Sequence, residues 1–575
     1  MLLRKVTIEN FRGLKRIEVD LDETTVLIGE NNSGKTAFLH AIHYCLNRVK
    51  IRRHSNFDEY DYHFTSDRAD PLTAGSIIIT LEFIEKQPDE WDAELVRALG
   101  EAVVLRDDDR REVRLVVKSY YDHAQGDFVQ DWQFLDSTGN PLTGRASQPQ
   151  VLATLQQLRP MFYLSALRDA AREFGRTSPF WGPFLRSTTI PEGLKQELET
   201  ALGGINEKIV QAHESFDHVR EHLTKVQKII PLGREDLVSI DALPVRVFDM
   251  LSRTQVSLAC NSGAKIPIFR HGEGTQSLSV LFLFDAFLKA QLGSAYDRLT
   301  EPIIALEEPE AHLHPCAIRS LWQVMSSLRG QKIIASHSGD LLAEVPLQSI
   351  RRFSRENGEI KAFRVAEGLL NDEELRKFNY HIRQTRGELL FARCWLLGEG
   401  ETEMCIFQEL GRLLELDMDR YGVRFVAYSQ GDIEVFLKVA DALGISWHCL
   451  FDNNSEGQKY KTKVLPYLRG RTQDNHISTI PEANIDLFLC KNGFTHIYKN
   501  YITPNIHSRI TVNRNDPQYC DQLYAAINNL RRFSKPRAAW EVVEDIRHRG
   551  PEAIPPFLAA VLHRAMFLAG WSNYD

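Results

Sequence analysis

The sequence predicts an α/β fold in which a mixed or parallel sheet with a helical insertion is followed by a second domain built on a parallel sheet. Two observations support this fold class. Short apolar strands alternate with helical segments along much of the chain. The alternation then begins afresh after about residue 385. The 575 residues are enough for two to four domains, at roughly 100 to 200 residues each.

Composition and charge limit the function classes. Hydrophobic residues make up 43% and charged residues 25% of the chain, values that exclude wholesale disorder and a fibrous repeat. The net charge of −8 excludes a basic coat, so any DNA binding needs a local patch. The eight cysteines include no C-x-x-C pair, which argues against a zinc ribbon and favours a reducing compartment. Without a signal peptide or a membrane-length apolar run, we expect a cytoplasmic protein with no membrane partner.

The N-terminal part begins with β-rich sequence. Apolar residues alternate over residues 1–28, which predicts two or three opening strands, and the last strand leads through a glycine-rich loop into a helix at Ala37–Ile42. Residues 77–135 return to β-rich sequence. Further short strands are predicted at 245–247, 302–306, 333–335, 350–353 and 360–365.

A helical period with many charges replaces the strands between Glu192 and Ile230. The pattern is typical of a long amphipathic hairpin inserted into the first domain. A dimerisation arm and a surface pair that covers one sheet are equally compatible with it.

The second domain follows a polar helical stretch over Leu370–Glu388. Strand–helix alternation starts again at Cys394, with later strands at Val423–Ala427 and Trp447–Phe451. We therefore place the domain boundary near residue 385 and expect a compact parallel sheet beyond it.

The glycine-rich loop carries a nucleotide-binding motif. Gly29-x-x-x-x-Gly34-Lys35-Thr36 fits the P-loop pattern in its strand–loop–helix context. In such a loop backbone N–H groups surround the β-phosphate, the lysine reaches the β- and γ-phosphates, and the threonine hydroxyl ligates Mg²⁺. The predicted ATP-binding residues here are Gly29, Asn31, Asn32, Ser33, Gly34, Lys35 and Thr36.

A P-loop site also needs a carboxylate at the end of an apolar strand. Pro302–Leu306 is such a strand, and Glu307 and Glu308 follow it. Glu307 is expected to hold Mg²⁺ through water, and Glu308 to polarise the attacking water as general base. A paired Glu in this position can also be a solvated strand end.

Three further motifs resemble those of ABC-type ATPases, among them the recombination and DNA-repair ATPases. His312-Leu313-His314-Pro315 resembles the D-loop, and His337 in Ser336-His337-Ser338 resembles the switch histidine that senses the γ-phosphate. Residues 272–277, opening a helix over Leu278–Phe287, resemble the signature loop that reaches a partner's nucleotide, which implicates Gly274, Gln276 and Ser277. The resemblance implies a homodimer or higher homo-oligomer. Taken singly, His337 could be an ordinary histidine and 272–274 a plain turn.

Acidic residues follow two strands of the second domain. Glu399 comes after the strand at Trp395–Leu397, and Asp452 after the strand that ends at Phe451. The ends of parallel strands meet at one edge of a sheet, where functional groups gather. Two carboxylates there could coordinate one or two Mg²⁺ ions.

This pair resembles the Toprim fold of topoisomerases, primases and related nucleases. The resemblance implies metal ligation by Glu399 and Asp452, a second acid at Glu403, and a role for Asn454 in place of the second Asp of an Asp-x-Asp pair. An Asn at 454 lowers the negative charge available to a second metal. Later residues resemble the nuclease branch: Glu482 and Asp486, one helical turn apart on a shared face, and Lys535, which would stabilise charge on the scissile phosphate.

Each of these acidic residues also has an ordinary structural interpretation. The cluster at 399–403 could be a helix N-terminus favoured by the helix dipole, Asp452 a turn former, and Glu482 with Asp486 a solvated face. Basic residues with Trp540 among them cluster near the end of the chain and could neutralise DNA phosphates or form a solvated helix face. They are Arg531, Arg532, Lys535, Arg537, Arg547, His548 and Arg549.

The order of these domains resembles the OLD (overcoming lysogenisation defect) family, which includes Gabija-type and retron-associated phage-defence effectors. The resemblance covers nearly the whole chain. It implies an ATPase fused to a DNA endonuclease that uses Mg²⁺, with Mn²⁺ or Ca²⁺ as alternatives, and an accessory defence protein such as a helicase or retron component. An ATP-dependent DNA-binding regulator with an inactive Toprim-like domain is the alternative, and a primase or topoisomerase activity is less favoured.

The predicted segments are the ATPase N-terminal part (1–188), a helical insertion interpreted as a dimerisation element (189–235), the ATPase C-terminal part (236–385) and the Toprim-like domain with its basic region (386–575).

Overall fold

The structure of the chain is a computed structural model. It describes residues 1–48, 55–64, 70–142, 148–165, 173–174, 178, 181, 190–212, 214–224, 240, 242–244, 246–252, 256–259, 263–290, 299–356, 358–503, 509–531 and 533–572.

The strands of the N-terminal part confirm the predicted β-rich segments at 1–28 and 77–135 and the predicted strands at 302–306, 333–335, 350–353 and 360–365. They are β1 (Leu3–Phe11), β2 (Leu14–Asp20), β3 (Thr24–Gly29), β4 (Ile77–Ile84), β5 (Val104–Leu105), β6 (Arg111–Asp122), β7 (Asp127–Leu135), β8 (Met161–Leu164), β9 (Ser257–Ala259), β10 (Lys265–Pro267), β11 (Ile303–Glu307), β12 (Gln331–Ala335), β13 (Ile350–Glu356) and β14 (Glu359–Phe363).

Two six-stranded sheets organise this part. One is antiparallel, with the order β2-β1-β4-β6-β5 and β7 paired to β6. The other has the order β14-β13-β3-β12-β11-β8, in which all strands are parallel except β14. In the second sheet β3 and β11 flank β12, so the residues that follow β3 and β11 reach the same edge. The predicted mixed sheet is confirmed.

The helices of the N-terminal part include one segment that was predicted as a strand. The predicted strand at 245–247 is wrong at Val247, which begins a helix; Val245 lies outside the described residues. The inserted hairpin is described as far as Thr224. The helices are α1 (Lys35–His43), α2 (Ala93–Leu99), α3 (Gln148–Leu158), α4 (Glu192–Gln211), α5 (Glu214–Thr224), α6 (Val247–Ser252), α7 (Glu273–Ala290), α8 (Pro315–Ser327), α9 (Gly339–Leu342) and α10 (Asp372–Gln384).

The C-terminal part is built on a four-stranded parallel sheet of order β16-β15-β17-β18, as predicted. Its strands are β15 (Cys394–Gly398), β16 (Val423–Ala427), β17 (Ser446–Phe451) and β18 (Ile477–Thr479). Its helices are α11 (Glu401–Leu413), α12 (Ile433–Leu443), α13 (Ser455–Val464), α14 (Gln473–His476), α15 (Ile485–Leu489), α16 (Thr495–Lys499), α17 (Tyr519–Ile527), α18 (Lys535–Arg549) and α19 (Pro556–Leu568).

One apolar core runs through both parts of the chain. It contains Ile28 of β3 together with Trp395 of β15 and Trp447 of β17, all fully buried. Helix α10 contributes Phe378, whose ring centroid lies 6.4 Å from that of Trp395. The two parts are therefore packed against each other through apolar contacts rather than joined only by the chain.

Candidate nucleotide and metal sites

The P-loop has the backbone that its glycines predict. β3 ends at Gly29, with a φ of +148°, and α1 begins after Gly34, with a φ of +89°. A Cβ on Gly29 would lie 2.3 Å from the Phe353 carbonyl oxygen, and one on Gly34 would lie 2.5 Å from Leu14 Cδ2. Both the positive φ values and the close neighbours require glycine at these positions.

Lys35 lies folded against its own loop. Its Nζ donates to the carbonyl oxygens of Gly29 and Glu30, each at 2.9 Å, and to Ser33 Oγ at 3.2 Å. Burial lowers the pKa of Lys35 to about 8. A phosphate would supply the charge that this buried ammonium lacks, and it would compete with the carbonyls for the same N–H groups.

Glu307 lies at the end of β11 between two hydroxyl donors. Thr36 and Tyr163 each donate a hydrogen bond to one of its carboxylate oxygens. Tyr163 also bonds His40 Nε2 at 3.2 Å, and His40 Nδ1 lies 2.7 Å from Arg12 Nη1. A Thr hydroxyl beside a carboxylate offers the hard oxygen donors that Mg²⁺ prefers, so these residues fit a magnesium–nucleotide complex.

Glu308 and His337 face each other across the same edge. Glu308 has a left-handed φ of +43°, its N–H donates to the Ala335 carbonyl at 2.8 Å, and its Oε1 lies 3.8 Å from His337 Nε2. Burial lowers the pKa of His337, which favours the neutral imidazole. The half-buried Glu310 fixes this segment by accepting from Ser336 Oγ at 2.7 Å and from the His337 N–H at 3.0 Å.

A cleft of about 780 Å³ joins these groups, and its lining combines the predicted P-loop, carboxylate and histidine residues. Arg12, Arg355, Tyr163 and Glu310 are functional candidates that the sequence reasoning missed. Tyr163 lies on β8, and the pairing of β8 with β11 that brings it to Glu307 is not visible in the sequence. The lining residues are Arg12, Gly13, Asn31, Asn32, Ser33, Gly34, Lys35, Thr36, Ala37, Glu307, Glu308, Ala335, His337 and Arg355.

The signature-like segment lies apart from this cleft. The predicted helix start at Leu278 is wrong, since α7 begins at Glu273 and takes most of 272–277 into its first turns. Among the described residues none of 272–277 lines the cleft. Gly274 packs under the His312 carbonyl, where a Cβ would lie 2.7 Å from the oxygen.

Side chains of the same segment bond within the chain. Gln276 Nε2 donates to the His271 carbonyl at 2.7 Å, and Glu273 Oε2 lies 2.8 Å from His312 Nδ1. Ser277 is buried, whereas Thr275 is exposed. The D-loop-like and signature-like residues are thus in direct contact.

The strands of the C-terminal sheet bring Glu399 and Asp452 together. β15 and β17 are parallel neighbours, so the residues that follow them reach one edge of the sheet. Asp452 is buried, and its Oδ1 has no hydrogen-bond partner. Burial and then the Glu399 carboxylate raise the pKa of Asp452. A buried, unpartnered carboxylate oxygen beside a second carboxylate fits a divalent cation, which would satisfy both charges.

Glu403 and Asn454 lie close to this pair but are already bonded to backbone. Burial raises the pKa of Glu403 to about 7, and its Oε2 accepts from the Gly400 N–H at 3.1 Å. Asn454 caps α13, because its Oδ1 accepts from the Gly457 N–H at 2.8 Å, and its Nδ2 donates to Asp452 Oδ2 at 3.3 Å. Asn454 therefore orients Asp452 in this arrangement.

The predicted helical pair Glu482 and Asp486 is not on one helical face. Asn484 caps α15 by accepting from the Leu487 N–H at 3.0 Å, so Glu482 lies before the helix. Glu482 pairs with Lys491 at 2.8 Å. Asp486 is buried, accepts from the Tyr498 hydroxyl at 3.3 Å, and has a pKa raised by burial to about 6.

Lys535 is the first residue of α18 and is exposed to solvent. Burial raises the pKa of Asp452 and of Asp486, and the Lys535 charge opposes that rise in both.

Within the described part of the chain no three His, Cys, Asp or Glu side chains form a group that could hold a metal ion. Water or substrate oxygens would have to complete the coordination of Mg²⁺, which commonly retains several waters in proteins. Arg532 of the basic cluster lies outside the described residues.

Comparison with protein families identifies both parts of the chain. A family model described as "Protein of unknown function (DUF2813)" matches residues 1–388. The chain belongs to the DUF2813 family. A second model, described as "Overcoming lysogenization defect protein-like, TOPRIM domain", matches residues 390–453. In this DUF2813 protein the segment after the N-terminal part thus matches an OLD-like TOPRIM domain, which confirms the predicted resemblance.

Three curated proteins are similar to this DUF2813 chain. The uncharacterised protein YbjD of Escherichia coli (strain K12) is 27% identical over 99% of both chains. The OLD nuclease of Thermus scotoductus is 25% identical, covering 79% of this chain and 82% of that protein. The endonuclease GajA of Bacillus cereus is 21% identical, covering 81% of this chain and 78% of that protein.

Two solved structures are also similar to parts of the chain. An Smc head domain from Pyrococcus furiosus, bound to the C-terminal domain of ScpA, covers 66% of this chain and 99% of its own, with 15% identity and a TM-score of 0.37. The C-terminal region of the Xanthomonas campestris OLD protein covers 32% of this chain and 97% of its own, with 15% identity and a TM-score of 0.26. Over the residues that the structure describes, no helix is long and apolar enough to cross a membrane.

Proposed function

We propose that this protein is an ATP-binding and ATP-hydrolysing, divalent-metal-dependent DNA endonuclease of the OLD family. The observation that carries the proposal is the placement of Glu399 and the buried Asp452, whose Oδ1 has no hydrogen-bond partner, at the ends of two neighbouring parallel strands. The Lys535 charge acts on the same site. The names of the relatives, OLD nuclease and endonuclease GajA, support a nuclease reaction on DNA.

At the C-terminal site Glu399 and Asp452 would hold the cation, with Glu403 beside them. The cation would supply charge neutralisation and an activated water for attack on a phosphodiester. Lys535 would offset charge that develops on the scissile phosphate, because its ammonium is exposed on the side of the acids. Asp486 and Glu482 would contribute less directly, since Tyr498 and Lys491 already bond them.

In the head, Lys35 would release the P-loop carbonyls to hold the β- and γ-phosphates, and Thr36 with Glu307 would hold Mg²⁺. Glu308 would accept the proton of the attacking water, and the neutral His337 would donate to the γ-phosphate.

We further propose that the protein acts as a homodimer in antiphage defence. Residues 272–277 do not line the cleft of their own chain in its described part, which supports a role at a partner's nucleotide. Of the predicted residues, Gly274 and Gln276 would face that nucleotide, whereas Ser277 is buried and the exposed Thr275 would take its place. Helices α4 and α5 would extend the contact between the two copies.

The test is incubation of the purified protein with supercoiled plasmid in Mg²⁺ or Mn²⁺, with and without ATP. We expect nicking or linearisation that Glu399→Ala abolishes. Lys35→Ala reports whether nucleotide controls the reaction. Glu415→Ala is a matched control, because Glu415 lies after α11, away from the acidic site. Cutting by Glu399→Ala at the parent rate contradicts the proposed site.

A second candidate function is an ATP-dependent DNA-binding regulator with an inactive Toprim-like domain. The cap that Asn454 forms on α13 favours it, because the Asn carbonyl oxygen is occupied by the Gly457 N–H and the position carries no charge. This candidate predicts ATP-dependent DNA retention in a gel-shift assay without any strand cleavage in Mg²⁺ or Mn²⁺.

A further inference from the structure

The P-loop is joined directly to the sheet that carries the acidic site. Arg393, the residue before β15, forms a bidentate ion pair with Glu30 of the P-loop. In this pair Arg393 Nη2 donates to Glu30 Oε2 at 2.6 Å, and Nε donates to Oε1. The pairing lowers the pKa of Glu30, which keeps the carboxylate charged. A bidentate guanidinium–carboxylate pair fixes orientation as well as distance.

Arg393 also occupies a junction of the C-terminal sheet. Its backbone N–H donates to the Gly422 carbonyl at 2.8 Å, just before β16. Its carbonyl oxygen accepts from the Ser446 N–H at 2.9 Å, at the first residue of β17. A displacement of Arg393 would therefore shift the beginnings of the three neighbouring strands β15, β16 and β17.

A buried arginine makes a second connection nearby. Arg352 of β13 is 3% exposed and donates to three carbonyl oxygens of the C-terminal part. These are Leu443 at 3.0 Å, Gly444 at 3.1 Å and Ala392 at 2.8 Å. β13 in turn pairs with β3, where Phe353 lies opposite Gly29 of the P-loop. Both arginines thus lead from the P-loop to the segments that precede β15 and β17.

The two strands end at the predicted metal ligands. β15 has five residues and is followed by Glu399, and β17 has six residues and is followed by Asp452. At a rise of about 3.3 Å per residue, each acid lies about 17 to 20 Å from the start of its strand. Hydrogen-bonded strands are stiff over such a length, so a shift at one end is transmitted to the other.

Nucleotide binding would disturb the P-loop end of this connection. In the structure Lys35 Nζ donates to the Glu30 carbonyl oxygen, while the Glu30 side chain holds Arg393. A phosphate that takes over the Lys35 ammonium removes the first bond and frees the Glu30 backbone. A cleft of about 830 Å³, lined by Glu30, Arg352, Arg393 and Gly444 among others, leaves room beside the contact for movement.

We propose that Arg393 is the residue through which nucleotide occupancy of the P-loop sets the position of Glu399 and Asp452, with Arg352 as a fixed second support. The inference rests on the proposed function, since it names how the two sites of that function communicate. Arg393 contacts neither site's reacting groups in this structure, so it acts as a positioning residue.

Hydrogen–deuterium exchange tests the connection without requiring cleavage. We expect a non-hydrolysable ATP analogue with Mg²⁺ to change deuterium uptake in peptides that cover 393–400 and 446–453 of the parent protein. Arg393→Gln should lose at least half of that change, and Arg393→Lys, which keeps the charge without the bidentate geometry, should be intermediate. Arg424→Gln is the matched control, because Arg424 of β16 forms its ion pair with the exposed Asp419 at 2.7 Å and not with the P-loop.

The plasmid assay supplies the functional readout. We expect the ratio of nicking rates with and without the analogue to move toward 1 in Arg393→Gln, while analogue affinity stays within about threefold of the parent. An exchange change that persists fully in Arg393→Gln overturns the inference, as does a parent protein that binds the analogue without any change in the two peptides. A protein that shows the exchange effect but never cuts DNA contradicts the proposed nuclease function and leaves the connection established.

Discussion

The Tyr163 hydroxyl donates a hydrogen bond to Glu307 on the side opposite Thr36, so both oxygens of this strand-end carboxylate are held by hydroxyl groups. The carboxylate is thereby oriented before any nucleotide arrives. A hydrogen bond to a charged group contributes about 1.5 to 3 kcal/mol. The hydroxyl of Tyr163 is therefore expected to matter to how well the site receives Mg²⁺.

Replacing Tyr163 by Phe should raise the Mg²⁺ concentration for half-maximal ATP hydrolysis by about tenfold, because a bond of that strength corresponds to a factor of ten or more. The measurement is a Mg²⁺ titration at saturating ATP. Tyr62→Phe is the control, since the Tyr62 hydroxyl bonds Ser119 Oγ of β6 at 2.8 Å. An unchanged Mg²⁺ requirement in Tyr163→Phe contradicts the role.

Replacing Glu308 by Gln should reduce ATP hydrolysis by about 100-fold or more, because a general base typically contributes that much. Binding of ATP should stay within about threefold, since Lys35 and the loop N–H groups remain. Steady-state phosphate release and equilibrium binding of a fluorescent nucleotide separate the two effects. Hydrolysis at the parent rate would assign the base role to another group.

The buried carboxyl of Glu403 makes the metal-free protein sensitive to pH. Its pKa of about 7 lies above the ordinary value of 4.5, so the folded state binds more protons than the unfolded state between these values. Its contribution to stability is complete below pH 4.5 and is lost as the pH rises to about 7. The loss is on the order of 3 kcal/mol, at about 1.4 kcal/mol per pKa unit.

In EDTA, Glu403→Gln should therefore have nearly the stability of the parent at pH 4.5 and exceed it at pH 8. Gln keeps the acceptor for the Gly400 N–H without the charge. Thermal or urea unfolding at several pH values measures the difference. If the free energies of unfolding of Glu403→Gln and the parent differ by the same amount at both pH values, the raised pKa of Glu403 is contradicted.

Replacing Asn454 by Asp should raise the affinity for Mn²⁺ several-fold and lower stability in EDTA, because it adds a carboxylate beside Asp452 and keeps an acceptor for the Gly457 N–H. Calorimetric Mn²⁺ titration without nucleotide is the measurement. Asn453→Asp adds the same charge one residue earlier, where the side chain bonds the exposed Gln458 at 3.1 Å. A similar gain in both variants would indicate a general charge effect.

The sequence predicts the strands well where burial is two-sided. Val26, Leu27 and Ile28 are all fully buried in a parallel sheet, and the continuous apolar run reflects this. The strand prediction at Val247 was wrong because a short apolar segment has the same composition in a buried helix turn as in a strand. The pairing of β8 with β11 joins residues far apart in the chain, which periodicity does not report.

The candidate sites were predictable where a motif fixes the backbone. The P-loop and the acids after β11, β15 and β17 fall in this class, because the strand-end position follows from the chain itself. Tyr163 and Arg393 were not predictable, since their partners Glu307 and Glu30 come from other elements. The prediction that Glu482 shares a helical face with Asp486 was wrong for a local reason: Asn484 caps the helix, so the helix begins after Glu482.

The apolar core that includes Ile28, Phe378, Trp395 and Trp447 has a consequence for the evolution of such proteins. An exchange of the C-terminal part between relatives by cutting near residue 385 would separate Trp395 from Phe378 of α10 and pack it against the corresponding helix of the other protein. A viable chimera would have to carry α10 and its ion pair between Glu374 and Lys438 together with the sheet. Recombination in this lineage should therefore favour breakpoints before Asp372.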